Sequence, residues 1–148
     1  MRSDDPVHAQ YEALPYPPRD PADESKRLVT GSPSHLAEVV HYVRGGHFDP
    51  AQRFRALIAG GGTGDAAIML AQQLAESGAR DAEITYLDWS TASRVIAEAR
   101  AHARGLTNLR FVTGSLLDLA ALGLGGFDYI DCCGVLHHLE DPDAGLAA

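Results

Sequence analysis

Apolar residues recur at three-to-four spacing from Leu36 through Val39, Val40 and Val43 and stop at Gly45 and Gly46, which predicts a short amphipathic helix. Ser32 is placed to cap that helix, and Pro33 suits its first position. Residues 54–59 (FRALIA) then form an apolar run of strand length that ends at Gly60-Gly61-Gly62-Thr63-Gly64. Helical spacing returns through Ile68, Met69, Leu70 and Leu74 as far as Gly78. The alternation repeats with a strand over 83–87 and a helix opened by Ser90 or Thr91, carrying Val95, Ile96 and Ala99 and closed by Gly105. A third strand is predicted over 109–113, a fourth over 127–133, and a further helix begins after Pro142. Strands alternating with helices, each strand apolar where both faces must be covered, predict a parallel sheet with right-handed crossovers. The expected class is α/β, doubly wound and Rossmann-like.

The first thirty residues break this rhythm. Pro6, Pro15, Pro17, Pro18 and Pro21 exclude a long helix there, so residues 1–31 are expected to lie as an extended or loosely packed arm ahead of a domain over 32–148. Tyr11, Leu14 and Tyr16 leave two outcomes open, docking onto the domain or trailing as a disordered tail.

Composition narrows the function classes. A formal charge of −8 with Lys26 as the single lysine disfavours nucleic acid as a partner, because phosphate tracking needs clustered cations. No apolar run has the length of a membrane span, and the start MRSDDPVHAQ lacks the regions of a signal peptide, so no membrane partner and a cytoplasmic location are expected. Cys132 and Cys133 are adjacent, which suits neither a disulfide framework nor a zinc site; they read as reduced, half-buried thiols.

Gly60, Gly62 and Gly64 sit between a predicted strand and a predicted helix, where the chain must turn tightly and a ligand must approach without meeting a Cβ. Written Gly60-x-Gly62-x-Gly64 this is a nucleoside-cofactor loop; written Gly62-x-Gly64-x-x-Ala67 it also satisfies the dinucleotide fingerprint. Asp88 ends the second strand, where an acid accepts hydrogen bonds from ribose hydroxyls. Trp89 follows and is a candidate for an adenine face or for plain packing. His137 and His138 are the catalytic-type bases near the end of the fourth strand, and a paired-histidine metal site lacks a third ligand in the sequence.

The blocks ALIAGGGTGDA, ITYLDWS, LRFVTGSLLDL and FDYIDCCGVLHHLEDP, in that order, resemble the successive motifs of class I S-adenosylmethionine-dependent methyltransferases, and YEALPYPPRDP is similar to a Pro-Tyr-Pro lead-in found ahead of some such domains. The resemblance implies S-adenosyl-L-methionine as cofactor, with Gly60, Gly62 and Gly64 passing under its methionine portion and Asp88 on its ribose. It further implies Ser115 and Leu116 beside the adenine, Asp118 as a candidate for the exocyclic amine, and Cys133 with Cys132, Gly134, Val135 and His137 near the methyl group. His137 is the candidate base toward an acceptor proton. Two positions depart from the pattern: Ser115 and Ile58 stand where many members carry acids, toward the adenine side and the cofactor's amino group respectively.

An Asn-Pro-Pro-Tyr-type signature is absent after the fourth strand, which favours a small-molecule acceptor. The family's sheet has seven strands, so this chain is expected to be truncated after the fourth parallel strand, as a fragment or with that strand's apolar edge covered by another chain. Self-association through the edge is the corresponding partner expectation. Two other readings remain at this point: a nicotinamide-dependent oxidoreductase, carried by the dinucleotide fingerprint with Asp88, and a truncated, non-catalytic binding module.

Overall fold

The computed structural model describes residues 6–148. Helix α1 (Pro6–Ala13) and a 3-10 turn (Pro21–Ser25) lead into α2 (Leu36–Glu38), which continues as a π-helical turn over Val39–Val43. Strand β1 (Phe54–Ala59), α3 (Asp65–Glu76), β2 (Ala82–Asp88), α4 (Thr91–Ala103) and β3 (Leu109–Thr113) follow. The chain continues through a 3-10 turn (Leu116–Asp118), α5 (Leu119–Leu122), β4 (Tyr129–Asp131), a 3-10 turn (Leu136–His138) and α6 (Pro142–Ala147). The sheet order is β3-β2-β1-β4 with every pairing parallel, the doubly wound α/β arrangement that the strand–helix alternation predicts.

Both faces of the sheet are covered, and this explains why β1 and β2 read as continuous apolar runs. One face buries Ala56, Ile58, Ile84 and Tyr86 against Val39, against Leu70 and Leu74 of α3, and against Ala97 of α4. The other buries Leu57, Ala59 and Leu87 beneath Leu116, with Leu119, Leu122, Val135 and Leu136 packed around them. Arg55 reaches the edge of this second layer, donating to the carbonyls of Gly126 and Leu124, both at 2.8 Å. Helix α3 starts at Gly64 in a left-handed conformation, and α4 is capped by Ser90, whose hydroxyl accepts the Ser93 amide at 3.1 Å. Among the described residues no helix is long and apolar enough to cross a membrane.

Three local expectations change. The helix predicted from Ser32 starts later, at Leu36, with His35 as its cap. Ser34 is drawn instead to the sheet edge, where its hydroxyl donates to Asp131 and lies 3.2 Å from the Tyr129 hydroxyl, while the Leu36 amide donates to Gln73 at 2.7 Å. The fourth strand is shorter than residues 127–133, because the Asp131 carboxylate turns back to accept the Cys133 amide at 2.9 Å and stops the ladder. Finally, the proline-rich segment expected to be extended or loose contains a helix and a 3-10 turn and is docked: Glu24, with only 7% of its surface exposed, sits beneath α4. On β4, which pairs only with β1 among the described residues, Ile130 is exposed.

Candidate functional site

At the carboxyl end of β1 the chain folds back over β2, with the Gly60 and Gly61 amides both donating to the Leu87 carbonyl at 2.7 and 3.0 Å. Gly60 has φ +75° and lies so close to Val135 that an added Cβ would stand 2.2 Å from its Cγ2, so the loops after β1 and β4 need this glycine in order to touch. At Gly62, φ +52°, a Cβ would stand 2.6 Å from the Tyr16 carbonyl oxygen. Gly60, Gly61 and Gly62 line a cleft of about 470 Å³ at this end of the sheet. Gly64 does not: it packs against Ala97 of α4, so it serves helix packing.

Asp88 lies in the cleft wall, 8% exposed. Its carboxylate accepts the Gly62 and Ser90 amides, both at 2.8 Å, so one side chain ties the glycine loop to the start of α4. Burial raises its pKa above the ordinary aspartate value, against the lowering effect of those amides, and the nearby Glu12 carboxylate raises it further. Neighbouring walls come from Leu87, Trp89, Gly114, Ser115 and Leu116. The Ser115 hydroxyl accepts the Leu117 amide at 3.2 Å and caps the turn there, which leaves backbone groups as the polar edge on this side. Asp118, a candidate from the sequence, is exposed and does not line the cleft.

The opposite wall is formed by Cys133, Gly134, Val135, His137, His138 and Leu139. Cys133 is exposed rather than half-buried, whereas Cys132 is partly buried, and burial raises its thiol pKa, followed by the Asp131 charge. His137 and His138 are exposed with ring centroids 3.9 Å apart, and His138 Nε2 lies 3.1 Å from the Tyr11 hydroxyl. Helix α1 therefore reaches across to this wall. It also touches the β2 side, where His8 meets Trp89 edge-on and Glu12 accepts the Thr91 and Ala92 amides at the start of α4.

Several residues that organise the site escape sequence reasoning. Tyr86 sits in the apolar run ITYLD yet donates its hydroxyl to the Gly62 carbonyl at 2.6 Å, and burial pushes its pKa far up, so it stays a donor. Thr63, fully buried, donates through Oγ1 to the Pro17 carbonyl at 2.6 Å. Arg100, 1% exposed, donates to the Thr63 carbonyl at 2.8 Å, to Asp65 at 2.7 Å and to Glu24 at 2.5 Å. Arg19 binds Asp65 through two nitrogens at 2.9 and 2.6 Å. A tyrosine in a buried strand and an arginine on the apolar face of a helix are the only sequence signals for this network.

The cleft's lining contains the carboxylates of Asp65 and Asp88 and, among the described residues, no lysine or arginine. Ile58 is 2% exposed within the apolar layer and presents nothing to the cleft. A glycine loop, a buried carboxylate at the end of β2 and apolar walls from Leu87, Leu116 and Trp89 fit a nucleoside: the carboxylate accepts hydroxyls, and the walls take a flat ring. Among the described residues no group of three or more metal-binding side chains gathers.

Comparisons with known proteins agree with this geometry. A family model described as a methyltransferase domain matches residues 57–148. An uncharacterized protein of Synechococcus sp. is 40% identical over an alignment of 148 residues, which covers 96% of this chain and 32% of that protein. Among solved structures, the N-terminal domain of EvdMO1 with SAH bound superposes with a TM-score of 0.61 at 25% identity, covering 80% of this chain and 45% of that one. PKMT2 from Rickettsia typhi in complex with AdoHcy (TM-score 0.57, 20% identity, 76% and 21% coverage) and the [4+2]-cyclase SpnF (0.57, 23%, 76% and 38%) share the fold. The chain thus spans about a third of the curated relative's length and less than half that of these solved structures.

Proposed function

Because this chain belongs to the methyltransferase-domain family, we propose that its cleft binds S-adenosylmethionine and that the whole protein transfers the methyl group to a small-molecule acceptor. The observation that carries this reading is Asp88: a buried carboxylate at the end of β2, tied to the glycine loop through the Gly62 amide, with lone pairs left for ribose hydroxyls. When bound, the cofactor supplies an electrophilic methyl group on a sulfonium. What the protein must then provide is alignment and exclusion of water.

Gly60, Gly61 and Gly62, which line the cleft, would let the backbone run along the methionine portion, and Asp88 would hold the ribose. Leu116 and Trp89 line the cleft where they would flank the adenine, and the backbone near Ser115 would meet its polar edge. With Ile58 in place of an acid and Asp65 taken up by Arg19 and Arg100, the Tyr16 carbonyl would be the acceptor for the cofactor's amino group, and among the described residues the lining carries no lysine or arginine to oppose a positively charged cofactor. Cys133, Val135 and His137 lie on the wall that faces the acceptor. His137 is exposed beside His138 and would be the group to take a proton from an acceptor hydroxyl or amine. The aromatic and imidazole groups of Tyr11, Tyr16, His137 and His138 around this end favour a small organic acceptor over a phosphate-rich one.

Substituting Asp88→Ala removes both the ribose acceptor and the tie to Gly62. Affinity for S-adenosylhomocysteine is expected to fall by roughly 1–3 kcal/mol by calorimetry, and an unchanged affinity would remove Asp88 from the site.

A further inference from the structure

We propose that Thr63 is a positioning residue through which the segment from Tyr16 to Glu24 sets the shape of the glycine loop, making that segment a working part of the cofactor site. The proposal rests on the cofactor reading above. All three polar groups of Thr63 are held by residues outside the loop: its amide donates to the Tyr16 carbonyl at 3.3 Å, its hydroxyl to the Pro17 carbonyl at 2.6 Å, and its carbonyl accepts Arg100 at 2.8 Å. The side chain is fully buried and turned toward the N-terminal segment, away from the lining of the cleft.

Such ties are needed because of what flanks Thr63. Gly60, Gly62 and Gly64 all have positive φ, and glycines that adopt this conformation are also free to leave it. A loop that must be ordered when ligand arrives loses affinity to that ordering, whereas a loop already fixed does not. Tyr86 and Asp88 fix Gly62 from the sheet side; Thr63 fixes the next residue from the opposite side. The segment providing its partners is itself anchored beyond Pro17. Arg19 grips Asp65 at the first turn of α3, and the buried Glu24 carboxylate accepts from both Arg100 and Arg104 of the α4 end. Arg100 closes the circuit, since it holds Glu24, Asp65 and Thr63 together. The Tyr16 carbonyl also fills the space beside Gly62 and lines the cleft, so movement of this segment alters the cleft wall directly.

The test compares Thr63→Val, which keeps the shape and removes the hydroxyl, with Thr63→Ser, which restores the donor. Ile84→Val, in the core near the opposite end of β2, is the control for general destabilisation. S-adenosylhomocysteine is the probe, read through the fluorescence of Trp89, the single tryptophan, which lines the cleft. Thr63→Val is expected to weaken binding about tenfold, with Thr63→Ser and Ile84→Val close to the unsubstituted chain. Equal affinities for all four proteins, or equal losses in Thr63→Val and Ile84→Val, overturn the proposal. Amide exchange keeps the two readings apart: Thr63→Val is expected to speed exchange at Gly62 and Gly64 even without ligand. Unchanged exchange there overturns the positioning role, whereas faster exchange in a protein that never binds the probe supports it and counts against the cofactor reading.

Discussion

The carboxylate of Asp88 holds the Gly62 and Ser90 amides, and on the proposed reading it also accepts ribose hydroxyls; both demands require the ionised form. Its pKa is raised, with burial the first cause, so it takes up a proton at a higher pH than an ordinary aspartate. A raised carboxyl binds its proton more readily folded than unfolded, so acid stabilises the fold at this group, and an acid loss of binding here is not unfolding. Affinity for S-adenosylhomocysteine is therefore expected to hold near neutral pH and to decline on acidification before the ordinary aspartate range is reached, with Asp88→Asn losing that dependence. Calorimetry from neutral pH downward, at temperatures where circular dichroism shows both proteins folded, checks it; equal pH profiles for the two proteins contradict it. The place of Asp88 in the cleft wall was legible in the sequence because it closes an apolar strand next to a glycine loop. Tyr86 and Thr63 were not, since a tyrosine in a strand and a threonine between glycines have ordinary structural uses that the sequence alone cannot separate from these.

At the scale of elements, the first turn of α3 is where loop, N-terminal segment and α4 meet. Burial alone would raise the pKa of Asp65, but hydrogen bonds and charge from Arg19 and Arg100 outweigh it and leave the pKa lowered. The carboxylate also faces the positive end of the α3 dipole. A depressed folded pKa means that Asp65 contributes stability above its unfolded value, near 3.8, and loses it as the pH falls through the folded value. Asp65→Asn is accordingly expected to cost about 2 kcal/mol at neutral pH, discounted for partial exposure, with the gap to the parent protein narrowing below about pH 4. Denaturant unfolding at both pH values measures it, and a gap that stays constant would place the stabilisation in shape rather than charge. The core positions of α3 were legible from their three-to-four spacing, but those of α4 were not: Val95 and Ala99 are exposed, and the helix buries Ser93, Ala97, Arg100 and Ala101, a face of small and charged residues that apolar spacing does not pick out. The late start of α2 was not legible either, because Ser34 is captured by Asp131 and Tyr129 across the sheet edge, a partnership that no local pattern announces.

For the whole molecule, the parallel sheet and its order follow from the strand–helix alternation, and the cleft lies where β1 and β2 end. The docking of the N-terminal segment was the least legible feature. Its prolines correctly exclude a long helix, but its anchors are Arg19, Glu24, Arg100 and Arg104, charged residues that read as solvated until the fold pairs them. The same geometry separates the two nucleoside readings of the glycine motif. Gly64 is used for packing against Ala97. The Tyr16 carbonyl stands beside Gly62, an acceptor that would suit the amino group of a methionine portion but would oppose the phosphate that a dinucleotide would bring there. Calorimetric titration of the chain with S-adenosylhomocysteine, using NAD as the control ligand, tests this most directly. The account predicts saturable binding of S-adenosylhomocysteine at one site and none of NAD; binding of NAD without S-adenosylhomocysteine would contradict it.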